Sequence, residues 1–97
     1  MQIQLVGKNF EVTDAIKKYT EEEITKITKR FPELSSINIV LNVEHKSNIV
    51  EANIHYNHSD VHATAEDNDM YIAINQVINK LLTQLTKHKD KLIDSHR

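Results

Sequence analysis

The sequence predicts one α+β domain in which a four-stranded mixed sheet is covered on one face by two helices, in the order β-α-β-β-β-α. Three short stretches between residues 37 and 65 alternate apolar and polar side chains, as half-buried strands do. Two longer stretches carry apolar residues at spacings of three and four, which is typical of amphipathic helices. Since each strand is apolar on one face only, both helices are expected on that face.

The first strand and the first helix are predicted at the N-terminal end of the chain. Residues 2–6 alternate between polar and apolar side chains, and Gly7, the only glycine, is expected to end this strand. Thr13 is a good helix N-cap, and apolar side chains then recur at helical spacing. Because proline disfavours helical backbone at the residue before it, Pro32 predicts that the helix ends at Phe31.

The other three strands follow one another without an intervening helix. Apolar and polar side chains alternate in each of them, over Ile37–Val43, Val50–Tyr56 and Val61–Ala65. Their connections, His45–Ile49 and Asn57–Asp60, are short and polar, which predicts hairpins and therefore antiparallel pairing. A right-handed crossover through the first helix makes strands one and two parallel. The predicted sheet is therefore mixed.

The last helix is predicted from Asp67 to Leu92 and carries two different stripes. Its apolar stripe consists of Met70, Ile74, Val77, Ile78, Leu81 and Leu85. Asp67 and the two residues after it supply capping groups and negative charge at the N-terminal end, where the helix dipole favours both. A second stripe, beside the first, consists of Lys80, Gln84, Lys87 and Lys91. The helix is therefore expected to close the core and to present a basic edge.

The net charge of −2 hides an asymmetry along the chain. Residues 1–79 contain seven Lys/Arg and twelve Asp/Glu, which gives a net charge of −5. Residues 80–97 contain five Lys/Arg and two Asp/Glu, which gives a net charge of +3. Such a basic segment suits a localised contact with a polyanion. Lysines also favour the C-terminal end of any helix because they complement its dipole, and on charge alone this second explanation is favoured.

The composition excludes several classes of protein. The chain has no cysteine, so it has neither a disulfide nor a thiolate nucleophile, and one glycine cannot build a phosphate-binding loop. No serine lies in a nucleophile-elbow context, so we expect no enzyme, no cofactor and no small-molecule substrate. No apolar run approaches the ~20 residues of a membrane span, and no secretory signal is present, so we expect a cytoplasmic protein without a membrane partner.

Two histidines give a weaker indication of a metal site. If Asn57–Asp60 forms a four-residue loop, His55 and His62 face each other on the exposed side of strands three and four. His58 and His45 are candidates for further ligands. Two histidines on an open polar face bind a metal weakly, and a functional site needs three or four ligands. Solvated polar positions are the favoured interpretation, and no metal is predicted.

Basic side chains on both helices suggest a different kind of site. Two helices side by side on one sheet face would place these residues on a common outward surface: Lys18, Lys26, Lys29, Arg30, Lys80, Lys87 and Lys91. Aromatic residues are sparse, which argues against binding of single strands by base stacking. A lysine-rich helical surface suits folded RNA recognised by backbone and shape. The α-β-β-β-α part also has the element order of a double-stranded-RNA-binding domain, an analogy of fold only.

Two long stretches resemble the bacterial ribosome hibernation promoting factor family, also known as the sigma-54 modulation protein family. They are GKNFEVTDAIKKYTEEEITKITKRF, from Gly7 to Phe31, and DMYIAINQVINKLLTQLTKHKDKL, from Asp69 to Leu92. The segment VHATAEDNDMY before the last helix resembles the family as well. The resemblance covers almost the entire chain, and its most specific pattern is DMYxAI followed by KLxxQLxKHKxK. It implies the fold β-α-β-β-β-α.

The resemblance implies a function that is based on binding alone. Family members bind the small (30S) ribosomal subunit in stationary phase, over the path of mRNA and tRNA, and block translation sterically. Short members act with ribosome modulation factor to promote inactive 100S ribosome dimers, and long members carry an additional C-terminal dimerisation domain. Another branch, the ribosome-associated inhibitor, has a longer tail and opposes dimers. Because this chain stops five residues past Leu92, it is expected to be a short form, with residues 1–97 as a single ribosome-binding domain.

The resemblance also implies which residues contact 16S rRNA. The contacts that match the family are Lys26, Lys80, Lys87, His88, Lys89 and Lys91. Lys29 and Arg30 vary more within the family and are added to the expected contacts because they belong to the basic helical surface. The cationic side chains would contact phosphates, and His88 would add a hydrogen bond. Two positions depart from the family. Asn79 stands where an aspartate is usual, and Thr83 stands where relatives often have a basic residue, so one phosphate contact is expected to be missing.

An alternative function belongs to a different class of protein. The exposed face of the sheet would bind a protein partner or a second copy through Asn38, Val40, Asn42, Asn53, His55 and Thr64. Reversing the charge of the C-terminal lysines distinguishes the two hypotheses, because it would abolish ribosome binding and leave a protein-binding function intact.

Overall fold

The computed structural model describes residues 2–56 and 58–94, with residues 88–94 described by their backbone only. Its elements are β1 Gln2–Lys8, α1 Asp14–Arg30, β2 Ser36–Glu44, β3 Ser47–Tyr56, β4 Ser59–Asp67 and α2 Met70–Asp94. The order β-α-β-β-β-α is the predicted one. None of the described helices is both long enough and apolar enough to cross a membrane.

The four strands form one mixed sheet in the order β1-β2-β3-β4. β1 is parallel to β2, with Leu5 beside Ile39, whereas β2, β3 and β4 pair in antiparallel fashion. Leu41 lies beside Val50, so the apolar positions of neighbouring strands fall on the same face. This mixed pairing confirms the topology predicted from one crossover and two hairpins.

Both helices begin with a side-chain cap. Thr13 Oγ1 accepts a hydrogen bond from the Ile16 N–H at 3.2 Å, which satisfies one of the free amides of the first turn of α1. Asp69 Oδ1 accepts from the Tyr71 N–H at 2.9 Å at the start of α2. α1 ends at Arg30 with Phe31 as its C-cap, as Pro32 predicted.

The core lies between the sheet and the two helices. Every residue of the predicted apolar stripe of α2 is buried: Met70, Ile74, Val77, Ile78, Leu81 and Leu85. α1 contributes Ile24, Ile27 and the C-cap residue Phe31, each at most 2% exposed. α2 packs on β3 and β4 and against α1. At ~1.5–3 kcal/mol per fully buried large apolar side chain, this layer is the main source of stability.

Gly7 does not end the first strand, contrary to the sequence prediction. β1 continues to Lys8, and Gly7 pairs with Leu41. The chain turns at Asn9, whose φ is 53°, and this turn brings the backbone of Phe10 back over the strand. A Cβ at position 7 would lie 2.3 Å from the Phe10 carbonyl oxygen, closer than any side chain tolerates. Glycine is therefore needed for this close backbone approach rather than for a break in the strand.

The hairpin between β3 and β4 is tighter than the sequence predicted. Tyr56 pairs with Ser59, so two residues form the loop instead of four. This register places His55 opposite Asp60, with His55 Nδ1 3.0 Å from Asp60 Oδ1. His62 lies opposite Asn53, so the predicted pairing of the two histidines is wrong. Within the described residues, no three His, Cys, Asp or Glu side chains are placed to hold a metal ion.

Candidate nucleic-acid interface

α1 and α2 lie side by side and run in the same direction. Near their N-terminal ends, the rings of Tyr19 and Tyr71 meet edge to face with centroids 5.0 Å apart. Near their C-terminal ends, Arg30 Nη2 donates to Thr86 Oγ1 at 3.2 Å. Residue numbers therefore rise together along both helices. This direction follows from the topology, because each helix returns antiparallel to the strand before it and β1 and β4 are parallel.

A buried carboxylate joins the helices between these two contacts, one turn from the tyrosine pair. Glu23 is 6% exposed, and its carboxylate accepts hydrogen bonds from Asn75 Nδ2 of α2 at 2.5 Å and from Lys26 Nζ at 2.6 Å. The Tyr19 hydroxyl lies at the limit of a third hydrogen bond, 3.5 Å away. A buried carboxylate is costly unless it is hydrogen-bonded in this way. Glu23 therefore fixes the position of α1 against α2.

The electrostatics of Glu23 follow from these partners. Burial raises the pKa of its carboxyl, but the hydrogen bonds from Lys26 and Asn75, the charge of Lys26 and the hydrogen bond from Tyr19 outweigh burial, so the pKa is lowered below the ordinary 4.5. The hydrogen bond to Glu23 raises the pKa of Lys26 in turn. Lys26, one of the predicted RNA contacts, is thus already bound to a carboxylate, although 53% of its side chain stays exposed.

The C-terminal ends of the two helices enclose a shallow groove. This interhelix groove is lined by Arg30, Leu82, Thr83, Thr86 and Lys87. The Arg30 guanidinium lies 5.6 Å from the centre of the Phe31 ring and donates to Thr86, which together hold it at the rim of the groove. Its remaining N–H groups and the exposed Lys87 ammonium are available to an anion.

A second shallow hollow adjoins the interhelix groove on the side of β4. It is lined by Asn79, Lys80, Thr83 and Gln84. Lys80 Nζ donates to the Thr64 carbonyl at 2.6 Å, and Gln84 Nε2 donates to the His62 carbonyl at 2.8 Å. Both acceptors belong to the outer edge of β4, which these side chains cover. Thr83 lines both depressions and therefore lies at the centre of the surface, which we call the basic surface.

The structure brings together some of the predicted contact residues and separates others. Arg30 and Lys87 line one groove, and Lys80 lines the hollow beside it. Lys29 is exposed in the last turn of α1, and Lys26 lies one turn earlier beside Glu23. The side chains of His88, Lys89 and Lys91 lie outside the described residues. Sequence reasoning missed Glu23, although it falls three positions after the buried Thr20 on the inner face of α1.

Charge is distributed unevenly between the two ends of the helix pair. The N-terminal ends carry Asp14 and Asp69, whose carboxylates complement the positive ends of the helix dipoles. The C-terminal end of α1 carries Lys29 and Arg30 beside its negative dipole end, and Lys87 lies next to them on α2, about two turns before that helix ends. The basic surface therefore lies along the C-terminal half of the helix pair, from Lys80 to Arg30 and Lys87, and is a localised site for a polyanion.

Comparisons with known proteins agree on one family. Residues 3–93 match the family model described as Sigma 54 modulation protein / S30EA ribosomal protein. The ribosome hibernation promoting factor of Klebsiella oxytoca is 44% identical over 92 residues, which are 95% of this chain and 97% of the relative. The Escherichia coli K12 protein of the same name is 40% identical with the same coverage.

Solved structures give the same result at the level of the fold. A ribosomal subunit interface protein from Coxiella burnetii superposes with a TM-score of 0.88 at 33% identity, over 93% of this chain and 99% of that one. The N-terminal domain of Thermus thermophilus protein Y superposes with a TM-score of 0.82 at 30% identity, over 91% of this chain and 99% of that domain. The family resemblance found in the sequence is thereby confirmed.

The role of Glu23 leads to a pH-dependent prediction. Because its pKa in the folded protein lies below 4.5, its stabilising effect is complete above that value and is lost as the pH falls through the lowered pKa. Glu23→Gln should therefore lower the free energy of unfolding by about 1–3 kcal/mol at neutral pH, and the difference should shrink below pH 4.5.

Urea denaturation of both proteins over a series of pH values measures this difference. Glu22→Gln, at an exposed position of the same helix, is the matched control and should change stability little at any pH. A Glu23→Gln difference that stays constant from neutral to acidic pH would show that the charge of Glu23 has no stabilising role.

Proposed function

Since this chain belongs to the Sigma 54 modulation protein / S30EA ribosomal protein family, we propose that it is a ribosome hibernation factor. In this proposal, it binds the small (30S) ribosomal subunit in stationary phase and occupies the channel for mRNA and tRNA. Translation stops because the channel is blocked, and no substrate is transformed. The protein is accordingly a binding protein and not an enzyme.

The observation that carries the proposal is the basic surface along the C-terminal half of the helix pair. Arg30 presents a planar guanidinium, held by Thr86 and the Phe31 ring, which suits the oxygens of a phosphate. Lys87 adds a mobile point charge on the other side of the groove. Both depressions are open to solvent, and neither is lined by an aromatic side chain on which a base could stack. The surface therefore favours the backbone of folded RNA, with 16S rRNA as the proposed partner.

Three further parts of the proposal extend beyond the basic surface. Lys26, Lys29, Lys80, His88, Lys89 and Lys91 would complete the contact with rRNA around Arg30 and Lys87. Residues 1–97 would act as one ribosome-binding unit in the cytoplasm. The bound protein would promote inactive 100S dimers, in cooperation with ribosome modulation factor.

Reversing two charges in the interhelix groove tests the proposal directly. Arg30→Glu/Lys87→Glu should weaken binding to purified small subunits by about tenfold or more, because two phosphate contacts become repulsive. Co-sedimentation at several salt concentrations should also show a shallower salt dependence, by about 0.7–0.9 in slope per lost contact.

Lys8→Glu/Lys46→Glu is the matched control, since it makes the same change of charge at exposed positions at the other end of the sheet. This control should bind nearly as well as the wild type. An equal loss of subunit binding in both variants would mean that binding depends on the net charge of the protein and not on the interhelix groove. Unchanged binding of Arg30→Glu/Lys87→Glu would exclude the interhelix groove as the contact.

Thr83 allows a test in the opposite direction. Its side chain is exposed and lies between the two depressions, at a position where the family resemblance leads us to expect a missing phosphate contact. Thr83→Lys should therefore strengthen binding to small subunits and steepen the salt dependence by about 0.7–0.9, the equivalent of one contact. Gln76→Lys, at an exposed position outside both depressions, is the control. Weaker binding of Thr83→Lys would place this part of α2 away from the RNA.

A further inference from the structure

The outer edge of β1 is an open strand edge. The Gln2 N–H donates to the Ser35 carbonyl at 3.2 Å, so the backbone groups of Gln2 point towards β2. Because these groups alternate in direction along a strand, those of Ile3 and Leu5 point away from the sheet. No side chain in the described part of the chain donates a hydrogen bond to either carbonyl. The edge therefore offers a row of unsatisfied donors and acceptors.

The two edges of the sheet differ in how they are protected. β4 is covered by Lys80 and Gln84, which bind its outer carbonyls. From Gln2 to Gly7, by contrast, β1 has neither a charged residue nor a proline, and Ile3 and Val6 are 47% and 41% exposed on its two faces. Soluble proteins commonly block an exposed edge with such residues. An apolar, unblocked edge is suited to the addition of a strand.

A groove on the helix side of β1 has room for the side chains of an added strand. It has a volume of about 510 Å³. Ile3 and Leu5 of β1 and Thr20, Ile24 and Thr28 of α1 line it. Lys17 and Glu21 lie at its rim, exposed and one helical turn apart. The groove is thus apolar inside, with one charge of each sign at its margin.

We propose that this edge binds β1 of a second copy of the chain, in antiparallel pairing around a two-fold axis through Leu5. The two sheets would then form one continuous sheet of eight strands. In this register, Ile3 faces Gly7 of the other copy, where it would meet the Phe10 backbone and the Val12 side chain that lie over this glycine. Val6 faces Gln4 of the other copy on the open side of the sheet, so its exposed apolar surface becomes covered.

The charges at the rim favour a second copy over an unrelated peptide. A two-fold axis reverses the direction of α1, so Lys17 of each copy is placed towards Glu21 of the other. The surface is therefore complementary to itself, as an interface with two-fold symmetry must be. A peptide with charges of one sign would be attracted by one rim residue and repelled by the other.

The proposed dimer does not interfere with the basic surface. β1 and β4 are the two opposite edges of the sheet, and α2 packs on β3 and β4. Both interhelix grooves therefore stay exposed in the dimer. Dimer formation and ribosome binding are separable, so each can fail in an experiment without the other.

Disulfide trapping tests both the interface and its register, because the chain contains no cysteine of its own. In the proposed dimer, Gln4 of one copy and Val6 of the other form a pair without mutual hydrogen bonds, with Cα atoms ~4.5 Å apart, within the range of a disulfide. An oxidised mixture of Gln4→Cys and Val6→Cys should give a covalent heterodimer. Each variant alone should not, because identical positions lie ~7–8 Å apart on the diagonal.

Sedimentation velocity of the wild type should show dimers whose population rises with protein concentration. Ile3→Lys should abolish them while preserving the circular dichroism spectrum and the binding to small subunits, since Ile3 is exposed in the single chain. A wild type that is monomeric at its highest soluble concentration, with no heterodimer trapped, would overturn the proposal. A disulfide in either single-cysteine variant alone would overturn the register through Leu5.

Discussion

The parallel alignment of α1 and α2 is the constraint on which the rest of this structure depends. One crossover and two hairpins make β1, β2 and β4 run in one direction, and each helix returns against the strand that precedes it. The C-terminal end of α1 consequently lies beside the C-terminal half of α2, which continues beyond it to Asp94. Arg30, at the negative dipole end of α1, and Lys87, on the adjoining turn of α2, then lie together on one surface. Arg30 and Thr86, far apart in sequence, are in contact for this reason.

Glu23 fixes the position of α2 along α1 through its hydrogen bond with Asn75. An apolar contact between helices tolerates sliding, whereas the hydrogen bond from Asn75 to the buried Glu23 carboxylate does not, because a shift of α2 would leave the carboxylate with the donors of its own helix only. Lys26 supplies one of those donors, so a residue predicted to bind RNA also contributes to the scaffold. In the proposed complex, Lys26 would therefore serve both the stability of the helix pair and the contact with RNA.

The fold was predictable from the sequence because its signals are periodic. The stripe from Met70 to Leu85, the N-cap Thr13 and the alternation of β2 to β4 all correspond to the observed structure. The failures involve contacts that periodicity does not encode. Glycine is needed at position 7 because the Phe10 backbone passes close to it. The two-residue loop after Tyr56 places His55 opposite Asp60 instead of His62. Lys80 binds the Thr64 carbonyl, which no helical pattern indicates. The RNA contacts came from the family resemblance and the charge pattern together, and they remain predictions.

Site-specific crosslinking tests the central claim, that the basic surface faces ribosomal RNA. A photoreactive amino acid at Thr83, between the two depressions, is compared with the same residue at Glu51, which is exposed on the open face of the sheet. Each protein is irradiated in complex with purified small subunits. We expect a crosslink to 16S rRNA from position 83 and none from position 51. A crosslink from position 51 with none from position 83 would contradict this claim and would assign the contact to the sheet.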